Sequence, residues 1–99
     1  MAVVEVTVIP IGTKGPSLSK YVSRAVEIAE DSDVSQELTP SGTILEGDLD
    51  DVLKVVRKMH ESVFNDEISR VVTNIEIDDR RDKKLSMEGK KNSVKRKLK

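Results

Sequence analysis

The sequence predicts a small α+β domain whose elements follow the order β-α-β-β-α-β, with a weak helix after the last strand. Two patterns indicate this. Some stretches alternate apolar and polar residues, as a half-buried strand does, and two others repeat apolar residues at i, i+3 and i+4, as an amphipathic helix does. With right-handed crossovers, this order gives an antiparallel four-stranded sheet in the order 4-1-3-2 with both helices on one face, the ferredoxin-like architecture.

The first half of the chain supplies one strand, one helix and a hairpin. Valines alternate with Glu and Thr over residues 3–9, which predicts the first strand. Ser17 is placed to cap a helix that runs to about residue 31. Two short strands at 34–39 and 42–46, joined by a Pro-Ser turn, then predict a hairpin.

The second half repeats the helix and strand and adds a tail. Asp48 is placed to cap the second helix, whose apolar stripe is the strongest in the chain and should end near Asn65. Residues 70–77 return to strand alternation. Residues 86–98 have only three apolar residues at helical spacing and contain a glycine, so we expect a weak helix that needs a partner surface.

Composition restricts the kinds of site that the domain can hold. The 99 residues include two aromatic side chains, Tyr21 and Phe64, and no cysteine. The core is therefore predicted to be aliphatic, and disulfides, thiolate metal sites and a cysteine nucleophile are excluded. We expect no cofactor and no metal. The lack of an apolar leader or a membrane-spanning run favours the cytoplasm.

Charge is divided unevenly along the chain. Residues 1–79 carry 7 Lys and Arg against 16 Asp and Glu, a net charge of −9, whereas residues 80–99 carry 10 against 2, a net charge of +8. We therefore predict a domain at 1–83 and a basic tail at 84–99. The tail is expected to lie against the acidic surface of its own or a neighbouring subunit, or to be solvated; binding to nucleic acid is the alternative.

The sheet face away from the two helices mixes acidic and apolar residues. It is predicted to carry Glu5, Glu46 and Glu76 beside Val3 and Ile44, which is too apolar for open solvent and too charged for a closed core. We expect this face to form a subunit interface in a homo-oligomer. A tetramer would also suit a short chain with a thin core.

Three short signatures occur in a fixed order: IPIGT at 9–13, SGTILEGD at 41–48 and RVVTNIEIDDRRD at 70–82. With SLSKYV before the first helix and KMHE inside the second, they resemble the YkoF-like family of small thiamine-binding proteins over residues 3–83. The resemblance implies a ferredoxin-like domain, homotetrameric when single, that binds thiamine or its hydroxymethylpyrimidine moiety without known catalysis.

The chemistry of that ligand suggests candidate contacts. An aminopyrimidine edge requires a paired donor and acceptor, which Ser and Thr hydroxyls can provide, and an aromatic ring could stack on it. The cationic thiazolium requires a carboxylate, and the motif offers Glu46. Three of these candidates also have a purely structural interpretation: Ser17 as a helix cap, Tyr21 as an interface or core-edge residue, and Glu46 as a surface or interface acid. The candidate ligand contacts are Thr13, Ser17, Ser19, Tyr21, Thr43 and Glu46.

The predicted topology places these residues at two ends of the sheet. The hydroxyls lie where the first strand finishes, whereas Glu46 and the Asp-rich end of the last strand lie at the other, roughly 13 to 17 Å away. One small ligand could not touch both ends of a single subunit. A site that used both would be shared between subunits.

Two further features have competing interpretations. The acidic and basic residues at 78–82 are expected to form an ion-pair network, and a divalent cation site or a phosphate site is the alternative. His60, the single histidine, is expected to be a packing residue because no nucleophile or carboxylate partner can be assigned to it. We therefore name no catalytic residue and expect a protein that is not an enzyme.

The sequence is consistent with three functional hypotheses. Binding of thiamine or its pyrimidine, by a carrier or sensor, is the leading hypothesis. RNA recognition by the same architecture needs aromatic side chains on the middle strands, on which bases stack. These strands read VEVTV and TILE and contain no aromatic residue, so we do not expect nucleic acid as a partner of the sheet. A structural or regulatory assembly unit without a ligand is the remaining alternative.

Overall fold

The computed structural model describes residues 1–13, 15, 19–82 and 86–98. Among these residues, four strands form one antiparallel sheet. The elements are β1 (Ala2–Ile11), α1 (Ser19–Glu30), β2 (Ser35–Thr39), β3 (Gly42–Gly47), α2 (Leu49–Ser62), β4 (Arg70–Asp79) and α3 (Met87–Lys97). The strand order is β2-β3-β1-β4, which confirms the predicted ferredoxin-like topology.

β1 and β4 are longer than predicted because they pair with each other along their whole length. β1 and β4 are in register from Ala2 opposite Asp79 to Ile11 opposite Arg70. The β2–β3 hairpin turns at residues 40–41, as predicted. Its turn is held by the Thr39 hydroxyl, which accepts the backbone N–H groups of Ser41 and Gly42.

The second helix ends earlier than predicted. α2 stops at Ser62, and Val63 and Phe64 close its last turn with short-range bonds to the carbonyls of His60 and Glu61. Asn65, predicted as the helix end, instead organises the following turn: its Oδ1 accepts two backbone N–H groups. At the other end Asp48 occupies the N-cap position but makes no side-chain cap bond.

The core lies between the sheet and the two long helices. Alternate residues of β1 and β3 point towards α1 and α2, whose apolar stripes cover them. The core is aliphatic apart from one tyrosine, as the composition predicted. Its buried members are Ala2, Val4, Val6, Val8, Tyr21, Ala25, Ala29, Leu45, Val52, Val55, Val56, Met59, Val63 and Ile68.

The third helix lies on the opposite face of the sheet. The Met87 backbone N–H donates to Glu46 Oε2 on β3 at 2.6 Å. Lys90 pairs with Asp78 of β4 at 2.6 Å, and Lys91 pairs with Glu37 of β2 at 2.8 Å. The basic tail therefore contacts the acidic surface of its own subunit. The predicted boundary at residues 83 and 84 lies outside the described residues.

No helix in the described ranges is both long enough and apolar enough to span a membrane.

Candidate ligand-binding site

A groove of about 170 Å³ lies between α1 and the end of the β2–β3 hairpin. It opens at the edge of the sheet, where Leu38 of β2 is 61% exposed. The lining is largely apolar and, among the described residues, contains no charged side chain. It consists of Val6, Thr7, Val8, Val22, Ala25, Val26, Leu38, Thr39, Pro40, Ser41, Gly42, Thr43 and Met59.

Close backbone approach shapes the inner end of this groove. A Cβ at Gly42 would lie 3.0 Å from the Thr7 hydroxyl oxygen and 3.0 Å from the Val6 carbonyl oxygen. The position therefore favours glycine, because a side chain would crowd these two atoms, although the backbone torsion φ of Gly42 is not in the left-handed region. Because the hairpin lies tightly on β1 here, the next residue, Thr43, is held in the sheet opposite Val6.

Thr43 lines the groove together with three other hydroxyl residues, Thr7, Thr39 and Ser41, of which Thr7 and Thr39 donate to backbone carbonyls. The side chain of Thr43 is buried, with 3% exposure. Within the described part of the chain no hydrogen bond involves its hydroxyl. A hydroxyl that lines a groove and has no protein partner is available to donate to or accept from a ligand. Of the candidate contacts whose side chains the structure describes, Thr43 is the one that lies in this groove.

Of the other candidates for this end of the sheet, the described ones, Thr13 and Tyr21, do not line the groove. The Thr13 hydroxyl donates to the carbonyl of Gly15 at 2.8 Å, within its own loop. Ser17 lies outside the described residues. Ser19 begins α1, and its side chain is likewise outside them. Tyr21 is 9% exposed and belongs to the core, so the structure places its ring among apolar side chains and not along the groove.

Glu46 lies on the other face of the sheet from Thr43. These residues are three positions apart in β3, and successive side chains of a strand alternate between faces. Glu46 accepts the backbone N–H of Met87, at the start of α3. Within one subunit, the structure does not bring the predicted pyrimidine contact and the predicted thiazolium contact together.

A second, more open cavity of about 730 Å³ lies where α2 begins. The two arginines that line it form ion pairs with nearby aspartates. Arg80 forms two bonds to Asp82, of 2.6 and 2.9 Å, and this hydrogen bonding raises the pKa of the Arg80 guanidinium. Arg81 pairs with Asp79 at 3.1 Å. These pairs agree with the ion-pair network expected at 78–82.

The alternative of a divalent cation site in this charged region gains no support from the geometry. Nowhere in the described ranges do three or more His, Asp or Glu side chains form a group that could hold a metal ion. His60 lies elsewhere, with Nδ1 2.6 Å from the Thr73 hydroxyl oxygen and its ring edge-on to Phe64. That environment fits the packing role predicted for it.

Sequence reasoning missed Gln36. Its Oε1 is buried and has no hydrogen-bond partner in the described part of the chain. Gln36 lies in β2 two residues before Leu38, so both side chains point to the α1 side of the sheet. Strand parity could have placed it there, but the missing partner is visible only in three dimensions.

The sequence model of the thiamine-binding protein family matches residues 4–95. The chain belongs to this family. It is 45% identical to the UPF0045 protein YqgV of Bacillus subtilis over 102 aligned positions, which cover 99% of this chain and 98% of that protein. The family predicted from the three signatures is thereby confirmed.

Solved structures agree with this assignment. The fold matches that of the hypothetical protein MJ1052 of Methanocaldococcus jannaschii with a TM-score of 0.88 and 44% identity, covering 95% of each chain. It also matches a candidate thiamine biosynthesis or salvage protein of Thermotoga maritima with a TM-score of 0.78, covering 94% of this chain and 97% of that one. At 22% identity, this second likeness concerns the fold alone.

Proposed function

We propose that this protein binds thiamine or its hydroxymethylpyrimidine moiety in the groove between α1 and the β2–β3 hairpin, as a carrier or sensor. Membership of the thiamine-binding family supports the ligand class. The observation that supports this location is Thr43, a buried residue that lines a largely apolar groove and whose hydroxyl forms no hydrogen bond within the described residues.

The size of the groove favours one part of the ligand. Sites for drug-sized molecules enclose about 300–1,000 Å³, whereas this groove encloses about 170 Å³. A single substituted pyrimidine ring suits such a volume better than a whole thiamine. We therefore place the neutral pyrimidine in the groove and the cationic thiazolium outside it, because the described lining has no carboxylate to pair with a cation.

We propose binding without catalysis. Among the described lining residues there is no histidine, carboxylate or amine that could act as a base beside the Thr43 hydroxyl. His60 is engaged by Thr73. General acid–base chemistry needs such a group within hydrogen-bond reach of the reacting atom.

We also propose that the protein works as a homotetramer. β4 is an edge strand of ten residues, and its Ile75 and Ile77 are 45% and 46% exposed on the α2 side of the sheet. Long apolar edge strands favour pairing with another chain. Light scattering should give about four times the chain mass of 11.0 kDa; a monomer at micromolar concentration would reject the tetramer. If a tetramer forms but no ligand binds, the assembly-unit alternative becomes the better function.

Calorimetry with hydroxymethylpyrimidine tests the site. Thr43→Val removes the hydroxyl and keeps the shape, so we expect roughly three- to tenfold weaker binding with little change in the thermal midpoint. Ser23→Ala is the matched control, since Ser23 lies on the exposed side of α1 and bonds only to the carbonyl of Lys20. Parental affinity in Thr43→Val would place the pocket elsewhere, with the charged cavity at the start of α2 as the next candidate.

A further inference from the structure

We propose that the second half of α3 docks on the acidic sheet face of a second copy of this chain and so forms a second interface of the assembly. The inference rests on the proposed homotetramer, because a tetramer that is a dimer of dimers needs two different interfaces. Pairing at the exposed edge of β4 provides one. Two surfaces on the α3 side of the sheet point to the other, and each lacks what the other offers.

The first surface is the side of α3 that faces the sheet. By helical spacing, this side carries Met87, Lys91, Val94 and Leu98. Met87 and Lys91 line the cavity between α3 and the sheet, and each is bonded to a strand. Val94 and Leu98, the apolar ridge of α3, continue the same side but are 60% and 68% exposed. The subunit's own sheet therefore leaves the apolar ridge uncovered.

The same half of α3 carries cations that form no ion pair. In the first half of the helix, two lysines pair with carboxylates of the sheet. The second half contains Lys95, Arg96 and Lys97, and none of them forms an ion pair within the described residues. The Arg96 guanidinium donates instead to the Ser93 hydroxyl at 3.2 Å. Three positive charges beside the apolar ridge are therefore available to another molecule.

The second surface is a pair of carboxylates on the sheet. Glu5 of β1 lies directly opposite Glu76 of β4, and both residues are exposed. Like charges at directly opposed positions destabilise a sheet. Both residues line the cavity of about 160 Å³ below α3, yet neither carboxylate forms an ion pair within the described ranges. A cation from another chain would relieve this repulsion.

A second copy of the chain brings these two surfaces together. In a two-fold symmetric contact, the helix end of each subunit meets the sheet face of the other, so both sets of charges gain partners. Strand parity places Ile11 and Val72 on the same face as the carboxylate pair, and they are 39% and 37% exposed. They offer apolar area to the apolar ridge of the other subunit. Nucleic acid would match the cations, but a phosphate backbone offers no cover for that ridge.

Light scattering on charge-reversed variants tests this interface. Lys95→Glu/Lys97→Glu reverses the helix end, and Glu5→Lys/Glu76→Lys reverses the sheet face. We expect each variant to lower the measured mass from about four to about two times the chain mass of 11.0 kDa, because pairing at β4 is untouched. Combining the two pairs of substitutions should restore the tetramer, since the charges are complementary again.

Two further variants complete the set. Lys54→Glu/Lys58→Glu reverses exposed lysines of α2, on the other side of the sheet, and should remain tetrameric as the matched control. Glu5→Gln/Glu76→Gln replaces the reversed sheet face if circular dichroism shows that the lysine variant is unfolded. It adds no positive charge beside the lysines of α3, and it should raise the dissociation constant of the tetramer roughly tenfold.

The outcomes distinguish the interface from the proposed function. If a folded reversed variant keeps the parental mass, the interface is wrong, while the tetramer and the pyrimidine groove stand. If the reversed tail also loses affinity for a short DNA duplex, the tail serves nucleic acid instead. A parent that is a dimer rejects the tetramer, and the interface then requires that both reversed variants become monomers and dimerise again when combined. A monomeric parent overturns both proposals of assembly but leaves pyrimidine binding to calorimetry.

Discussion

On the face of the sheet covered by α1 and α2, the strands bury aliphatic side chains, whereas the face under α3 carries carboxylates that pair with lysines. Leu45 and Ile44 are neighbours in β3 and illustrate the difference: Leu45 is fully buried in the core, and Ile44 lies half-buried among charged residues below α3. Burial of apolar area stabilises by about 25 cal/mol per Å². Exposed ion pairs contribute little each.

The helices on the two faces of this sheet therefore have different roles. α1 and α2 are held by the core, so removing them would unfold the domain. α3 is held by one backbone bond to Glu46 and by pairs that involve partly exposed lysines. It lies on the face opposite the groove, so we expect it to affect stability more than ligand binding.

The largest effect should come from truncating a core residue. Leu45→Ala leaves a cavity at the centre of the sheet, and we expect it to lower the free energy of unfolding by about 2–5 kcal/mol. Ile44→Ala, one residue away on the other face, should cost clearly less because its surroundings are already partly solvated. Urea unfolding of both variants measures this, and equal losses would mean that the two faces are packed alike.

A smaller effect should follow from removing α3. A chain that ends at residue 85 exposes Val3, which is 8% exposed under the helix, and leaves Glu46 without its backbone donor. We expect a lower thermal midpoint with pyrimidine affinity within a few-fold of the parent. A large loss of affinity in calorimetry would instead place the tail in the site and would contradict its separation from the groove.

The smallest effect concerns pH. The hydrogen bond to Glu37 raises the pKa of Lys91 above its ordinary value of 10.5. Because the folded value is raised, the contribution of this pair is complete below pH 10.5 and is lost as pH rises through the raised value. In a ¹³C-methyl NMR titration upwards from neutral pH, we expect the chemical shift of the Met87 methyl group to change only above pH 10.5. The Met59 methyl, buried in the core, is the internal control. Movement of Met87 near neutral pH would show that other groups hold α3.

One contact of the proposed site, Thr43, can be anticipated from the sequence, whereas the face on which it lies relative to Glu46 was within reach but missed. Thr43 is a candidate because the family resemblance implies a pyrimidine ligand, whose edge hydroxyls can bind, and the predicted topology places Thr43 where the first strand finishes. That Thr43 and Glu46 lie on opposite faces follows from their spacing of three in a strand, so parity alone separates them. Tyr21 was placed on the correct helix, but its burial depends on how that helix rotates over the sheet.

The sequence by itself determined the elements, their order, the hairpin turn and the family, because alternation, helical spacing and turn chemistry are local properties and crossovers have one preferred hand. Only the tertiary structure decided where α3 lies, since its few apolar residues do not specify a partner surface. It also decided that the Gln36 oxygen lacks a donor. Whether a polar atom has a partner depends on segments distant in sequence, here on how α1 rests across β2.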